Sequence, residues 1–233
     1  MRVFGIAMLA ALAVAVAGAS QAKTSTSHSR HGGRQGPPAS GTRGEFDYYV
    51  MALSWSPTFC ELHPDEEEQC THKGYGFVLH GLWPQFDGGG GPENCPTTDE
   101  VDRKTAASAL AFMPSRSLIN HEWRAHGACS GLGPSDYFAL ADRAFAAVHV
   151  PSEFEAPHDP IDTTADDVRA AFKRANPGLT DEMMSLHCSR GELVELRICL
   201  DKNVTLQTCG KRMQSHCPAT AHVTMPASQA RSK

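Results

Sequence analysis

Apolar and polar positions change period several times along the chain, and the changes mark out its elements. Residues 46–55 alternate and are dense in aromatic and β-favouring types, which predicts a strand ending at Pro57. Residues 75–83 predict a second strand stopped by Pro84, and the four glycines at 88–91 predict a loop. Residues 99–113 have helical character that ends before Pro114. Ser135 is placed as the N-cap of a further helix after Pro134, with Tyr137, Phe138, Ala141, Phe145 and Val148 on one apolar face. A shorter helix is predicted from about Thr164 to Ala175. Residues 192–200 alternate again, with Leu193, Glu195 and Arg197 on one side and Val194, Leu196 and Ile198 on the other. Asp201-Lys202-Asn203 supplies a turn before residues 204–209, a hairpin with cysteines in both arms. Strands at both ends, helices between them and no regular βαβ repeat argue for an α+β domain: a central antiparallel sheet with helices packed against it.

The first residues do not fit that domain. Met1-Arg2 leads into an apolar run at 3–17, followed by small residues up to Ser20-Gln21-Ala22, the layout of a secretory signal peptide. Residues 1–22 are therefore expected to be removed, which predicts a secreted or periplasmic protein. Residues 23–44 are rich in Ser, Gly, His and Pro, carry four positive residues and no acidic one, and predict a disordered basic linker. Residues 45–233 form the single domain. No other stretch approaches the roughly 20 apolar residues of a membrane helix, so no membrane partner is expected. Eight cysteines, Cys60, Cys70, Cys95, Cys129, Cys188, Cys199, Cys209 and Cys217, follow the signal. An even count in an exported chain favours disulfides over free thiols or metal ligands, and no Cys-x-x-Cys pair occurs. Spacing alone leaves every pairing open.

Charge narrows the function. All 26 acidic residues lie beyond residue 44, against 16 of the Lys and Arg. Such a body repels phosphates on average, so any nucleic acid has to be recognised at a small site with its own positive groups.

Two segments carry candidate chemistry. Residues 77–84 read Phe-Val-Leu-His-Gly-Leu-Trp-Pro. In an extended chain Val78, His80 and Leu82 share a face, and Gly81 lets another group approach the backbone. Residues 121–129 read His-Glu-Trp-Arg-Ala-His-Gly-Ala-Cys. At about 100° per residue, His121, Glu122 and His126 share one side of a short helix that Gly127 can end. Glu122 and His126 are four apart, close enough for the carboxylate to hold the imidazole and favour its protonated form. Taken singly, either segment could be structural: a hydrogen-bonded strand histidine, or a salt-bridged helix face. A zinc-peptidase pattern needs its histidines four apart, whereas His121 and His126 are five apart and diverge by about 140°. No Gly-x-Ser-x-Gly elbow is present either, so neither a metal nor a serine nucleophile is expected.

Together the two segments resemble those of the ribonuclease T2 family, His-Gly-Leu-Trp-Pro and His-Glu-Trp-x-Lys-His-Gly-Thr-Cys, here at 80–84 and 121–129. The likeness extends to Phe46-Asp47-Tyr48-Tyr49, Ser54-Trp55-Ser56-Pro57, Cys95-Pro96, Ser130-Gly131-Leu132, Asp136-Tyr137-Phe138 and the late cysteines, from residue 45 to about 218. It implies a monomeric endoribonuclease without metal or cofactor that cleaves single-stranded RNA with low base specificity and spares DNA. Cleavage would pass through a 2′,3′-cyclic phosphate to 3′-phosphate ends. The resemblance assigns His126 as general base, His80 as general acid, and His121 and Glu122 to the phosphate. It also implies the pairings Cys60–Cys70, Cys95–Cys129, Cys188–Cys217 and Cys199–Cys209. Trp83, with Gln85 offering hydrogen bonds, is the candidate base pocket, since single-stranded RNA is read largely by stacking. Ala125 replaces the family's lysine, and Ala128 its threonine; Arg124 projects roughly 100° away from position 125 on a helix. An alternative reading is an exported binding protein of the same fold with impaired catalysis. A metallohydrolase would instead lose activity to EDTA.

Overall fold

The computed structural model describes residues 41–228. The signal segment and most of the segment read as linker lie outside the described residues. In chain order the regular elements are β1 (Tyr48–Trp55), α1 (Ser56–Leu62), α2 (Glu67–Cys70), β2 (Phe77–Gln85), α3 (Arg103–Ala109), α4 (Arg116–Ala125), α5 (Pro134–Ala146), β3 (Ile161–Thr164), α6 (Ala165–Ala175), β4 (Met184–Ser189), β5 (Glu192–Leu200) and β6 (His222–Met225). The strands form one sheet in the order β2-β1-β5-β6-β3, with β4 paired to the other edge of β5. Every pairing is antiparallel except the parallel contact of β5 with β6 at Glu192 and Thr224, so the sheet is mixed but mostly antiparallel. No helix among the described residues is long and apolar enough to cross a membrane.

β1 is the axis of the fold, and all eight of its residues are buried because both sheet faces are covered. Tyr49, Met51, Leu53 and Trp55 pack into the main core with Leu79, Leu82, Leu196 and Ile198 and with the inward faces of α4, α5 and α6. Tyr48 and Val50 point the other way, where Cys199 and the half-buried Trp83, Cys209 and Met213 cover them. Burial of this apolar surface is the main stabilising term. The four disulfides are Cys60–Cys70, Cys95–Cys129, Cys188–Cys217 and Cys199–Cys209, the pairings that the family resemblance implies.

Several elements differ from the sequence reading. β2 runs through Pro84 to Gln85 rather than stopping before it; it is the outermost strand beside β1, where a residue without an N–H is tolerated. The helix read over 99–113 is confined to α3, with the Asp102 carboxylate accepting from the Thr105 N–H as its cap. α5 starts at Pro134 with Gly133 as N-cap, not at Ser135, because a proline suits the first helical position. Thr164 precedes α6 as its cap. The expected hairpin of 192–200 with 204–209 is reduced to one bridge, Leu200 with Leu206; β5 pairs instead with β4, which the sequence reading missed along with α1, α2, β3 and β6. Residues 41–44, read as the end of the linker, run against the body: the Gly44 N–H donates to the Cys129 carbonyl at 2.8 Å and Arg43 to the Leu132 carbonyl at 3.0 Å.

Candidate active site

A bulge in β2 aims the first imidazole. Ala52 pairs with Gly81 and Leu53 with Leu79, so His80 is the extra residue. Such an insertion reverses the alternation beyond it. Leu79 and Leu82 therefore both enter the core, and His80 does not share a face with Leu82 as simple alternation predicts. His80 emerges beside the sheet face that carries Ser54, Glu195 and Arg197; its Nδ1 lies 2.7 Å from Glu195 Oε2.

The second segment begins with Ser115, whose hydroxyl accepts from the Leu118 N–H and caps α4. α4 buries Ile119 and Trp123 in the core, and Glu122 on the same side is fully buried. Its carboxylate reaches β2 over Gly81, where the Trp83 Nε1–H donates to Oε2 at 2.7 Å and His80 Nε2 lies 3.6 Å from Oε1. Burial raises the Glu122 carboxyl to about 7, against the opposing pull of His80 and of the Trp83 bond. Glu122 therefore holds Trp83 and faces His80; it does not clasp His126, as the four-residue spacing suggested. The reason is that α4 ends at Ala125, so His126 leaves the helix with φ −127° and ψ −47°.

His126 lands instead beside the Trp83 ring, at a centroid distance of 5.3 Å, and His80 lies 5.1 Å from the same ring. The separation of the two imidazoles cannot exceed the sum of those distances. Their proton affinities diverge. Burial, with the charges of His121 and His80, pushes His126 down to about 4, and its buried Nδ1 has no partner. Burial also opposes charging of His80, but the Glu195 bond and the Glu122 and Glu195 carboxylates outweigh it, so His80 is raised. His121 is exposed at the surface, yet partial desolvation of its ring, then the charges of His80 and Arg124, lower it. It lines a cavity of about 430 Å³ together with His80, Ser54, Phe59, His63 and Glu66.

Trp83 is more constrained than an open stacking platform. Besides Glu122 and the two imidazoles, the Arg197 guanidinium sits 5.0 Å from its ring centroid. The Gln85 amide donates to the Pro84 carbonyl at 3.0 Å. Trp123 is a core residue whose Nε1–H donates to the Asp99 carbonyl. Arg124 lines a different cavity, with Thr97, Asp99 and Asn120, and so does not replace the cation absent at Ala125.

Sequence reasoning missed Glu195 and Arg197. Glu195 is 5 % exposed, and its Oε1 accepts from Arg197 Nε at 2.6 Å. Their only sequence signal is two charges two apart in an apolar strand, which reads equally as a solvated strand face.

Two histidines gathered about one indole ring with opposed proton affinities, beside a buried carboxylate, make an arrangement capable of acid–base chemistry on an α+β scaffold. The family model described as "Ribonuclease T2 family" matches residues 46–209, and the chain belongs to that family. It is similar to "Ribonuclease" of Aeromonas hydrophila, 48% identical over 103 residues that make up 44% of this chain and 46% of that protein. It is also similar to "Probable ribonuclease" of Haemophilus influenzae, 30% identical over 178 residues, 70% of this chain and 61% of the relative. The chain thus spans about half to three fifths of the length of these relatives. Among solved structures it shares its fold with trichomaglin, described as a novel S-like ribonuclease, at a TM-score of 0.62 and 22% identity, covering 80% of this chain and 100% of the other.

Proposed function

We propose that this chain is an endoribonuclease that cleaves single-stranded RNA by transphosphorylation, with low base specificity and without a metal. The observation that carries the reading is the gathering of His126 and His80 about one indole ring, where burial lowers the first and the Glu195 and Glu122 carboxylates raise the second. RNA brings its own nucleophile, the 2′-hydroxyl, so the protein has only to take one proton and give another. His126, neutral and with an unpartnered Nδ1, takes the 2′-hydroxyl proton as the new P–O2′ bond forms. His80, whose protonated form the Glu195 and Glu122 carboxylates favour, protonates the 5′-oxygen as the P–O5′ bond breaks. The product is a 2′,3′-cyclic phosphate; water then opens it to a 3′-phosphate with the two roles reversed. His121, which lines the cavity beside His80, borders the place of the phosphate, and Glu122, fully buried behind it and poised near neutrality, steadies the charge there through His80. Trp83 and Gln85 would offer a base the ring surface and amide oxygen that their internal contacts leave over.

Incubating the disulfide-bonded protein with polyuridylate and EDTA tests this: cyclic-phosphate ends should accumulate before 3′-phosphates, and DNA should survive. Absence of cyclic phosphate at every pH from acidic to neutral would overturn it. Ala125, with Arg124 turned to another cavity, favours a second reading, a binding protein with impaired catalysis. Retention of polyuridylate without cleavage would support that reading instead.

A further inference from the structure

The geometry points to Glu195, steadied by Arg197, as the positioning residue that holds His80 by its Nδ1 and keeps Nε2 turned toward the cleaved bond. The meaning of this role rests on the ribonuclease reading, but its physical content does not.

A carboxylate buried in the middle of a sheet is costly unless both oxygens are engaged. Both are. Glu195 Oε2 lies 2.7 Å from His80 Nδ1, with the Ser54 hydroxyl at 3.4 Å, and Oε1 accepts from Arg197 Nε. Register makes the arrangement rigid. Ser54 pairs with Glu195 and Ala52 with Arg197 across β1 and β5, and the bulge in β2 brings His80 to the same row. Arg197 is itself braced on the Trp83 ring, so one indole orders both carboxylates that face His80.

The consequence is a defined proton position. With Nδ1–H engaged by Glu195, the proton that leaves for the 5′-oxygen comes from Nε2, and its bonding pair stays on that nitrogen. His80 is left neutral with an accepting Nε2, the form needed to take a proton from water in the second step. The other groups facing this ring are Glu122, His121 and His126 from α4 and its end, and His63 and Glu66 across the shared cavity. His187 on β4 pairs with Glu195 from the far side. None of them contacts Nδ1 in place of Glu195. The charge balance agrees, since the Glu195 bond and charge help to raise His80 against its burial, while His80 and Arg197 hold Glu195 low against its own.

The test compares the full disulfide-bonded protein with its Glu195→Gln variant by nitrogen-15 NMR titration of His80 and by the pH profile of polyuridylate cleavage. In the variant His80 should titrate at lower pH, and the alkaline limb of kcat/KM should move down with it. Turnover at neutral pH should fall roughly tenfold or more, with a smaller loss on the acidic side. Glu195→Asp, which keeps the charge but withdraws it, should lie between the two and serves if the Gln variant does not fold. A His80 titration unchanged in the variants overturns the proposal. A shifted titration in a protein that never cleaves RNA upholds the positioning role and removes the ribonuclease reading, so the two failures are distinct.

Discussion

The carboxylate of Glu122 fills the space that a side chain on Gly81 would need: a Cβ there would overlap Glu122 Oε2 and Trp83 Nε1 and come within 2.8 Å of Glu122 Cδ. The absence of a side chain at 81 is thus what lets α4 lay a buried acid across the edge of β2. Gly81→Ala should force these groups apart, with a loss of about 1–3 kcal/mol in stability and a larger loss of cleavage. Urea unfolding beside turnover measures both, and a variant that matches the parent in each would refute the close approach.

Trp83→Phe keeps an aromatic ring but removes the pyrrole half of the indole with its Nε1–H, leaving Glu122 Oε2 without its donor. A buried acceptor so deprived should cost about 1–3 kcal/mol. Because the Trp83 bond lowers the Glu122 carboxyl, its loss should also push that carboxyl higher still. Infrared titration of the carboxyl band follows the second effect, which a purely packing role for Trp83 would leave unmoved.

Stability should respond to pH through two opposed groups. Glu122, raised from 4.5 to about 7, contributes stability that is complete below the lower value and lost as pH climbs to the upper one. His126, lowered from 6.5 to about 4, contributes stability that is complete above the upper value and lost as pH falls toward the lower. His187, also lowered to about 4, adds to the second slope. Between 4.5 and 6.5 the slopes oppose. Glu122→Gln should therefore make the urea midpoint climb more steeply with pH over that interval, and His126→Asn should make it climb less or fall. Curves parallel to the parent's would show that neither group is displaced as described.

Ala125→Lys restores the cation that the family's segment carries. Turnover on polyuridylate should rise by roughly tenfold or more if the phosphate lacks a fixed positive charge. Equal turnover in a folded variant would mean that another group already supplies it.

The bond between Cys95 and Cys129, 34 residues apart, anchors the loop after β2 to the end of the second histidine segment. Replacing both by Ala should cost about 3–4 kcal/mol through the freer unfolded chain. It should also loosen His126, visible as a kcat loss at temperatures where the fold persists.

The two histidine segments were legible because their chemistry is local: His80, His121, Glu122 and His126 stand in short runs, and each reaches the same site. What lay beyond the sequence was relational. Alternation put His80 with Val78 and Leu82, but a single bulge against Ala52 broke that phase. Helical spacing joined Glu122 to His126, yet the helix stops one residue short and the carboxylate turns to Trp83. Glu195 and Arg197 were visible as charges on a strand, but their meaning depends on β5 pairing with β1, a contact far apart in sequence. β4 was missed because Met-Ser-Leu-His-Cys-Ser lacks a run of β-branched or aromatic residues, and tertiary pairing rather than propensity makes it a strand.

The strand that bears Glu195 is translated well after both imidazole segments. A chain that has emerged only as far as both of them still has a bare edge on β1 and nothing behind the first ring. Vectorial emergence consequently leaves the constellation incomplete until residues 192–200 have followed and paired with β1, a built-in delay between making the reactive groups and arming them.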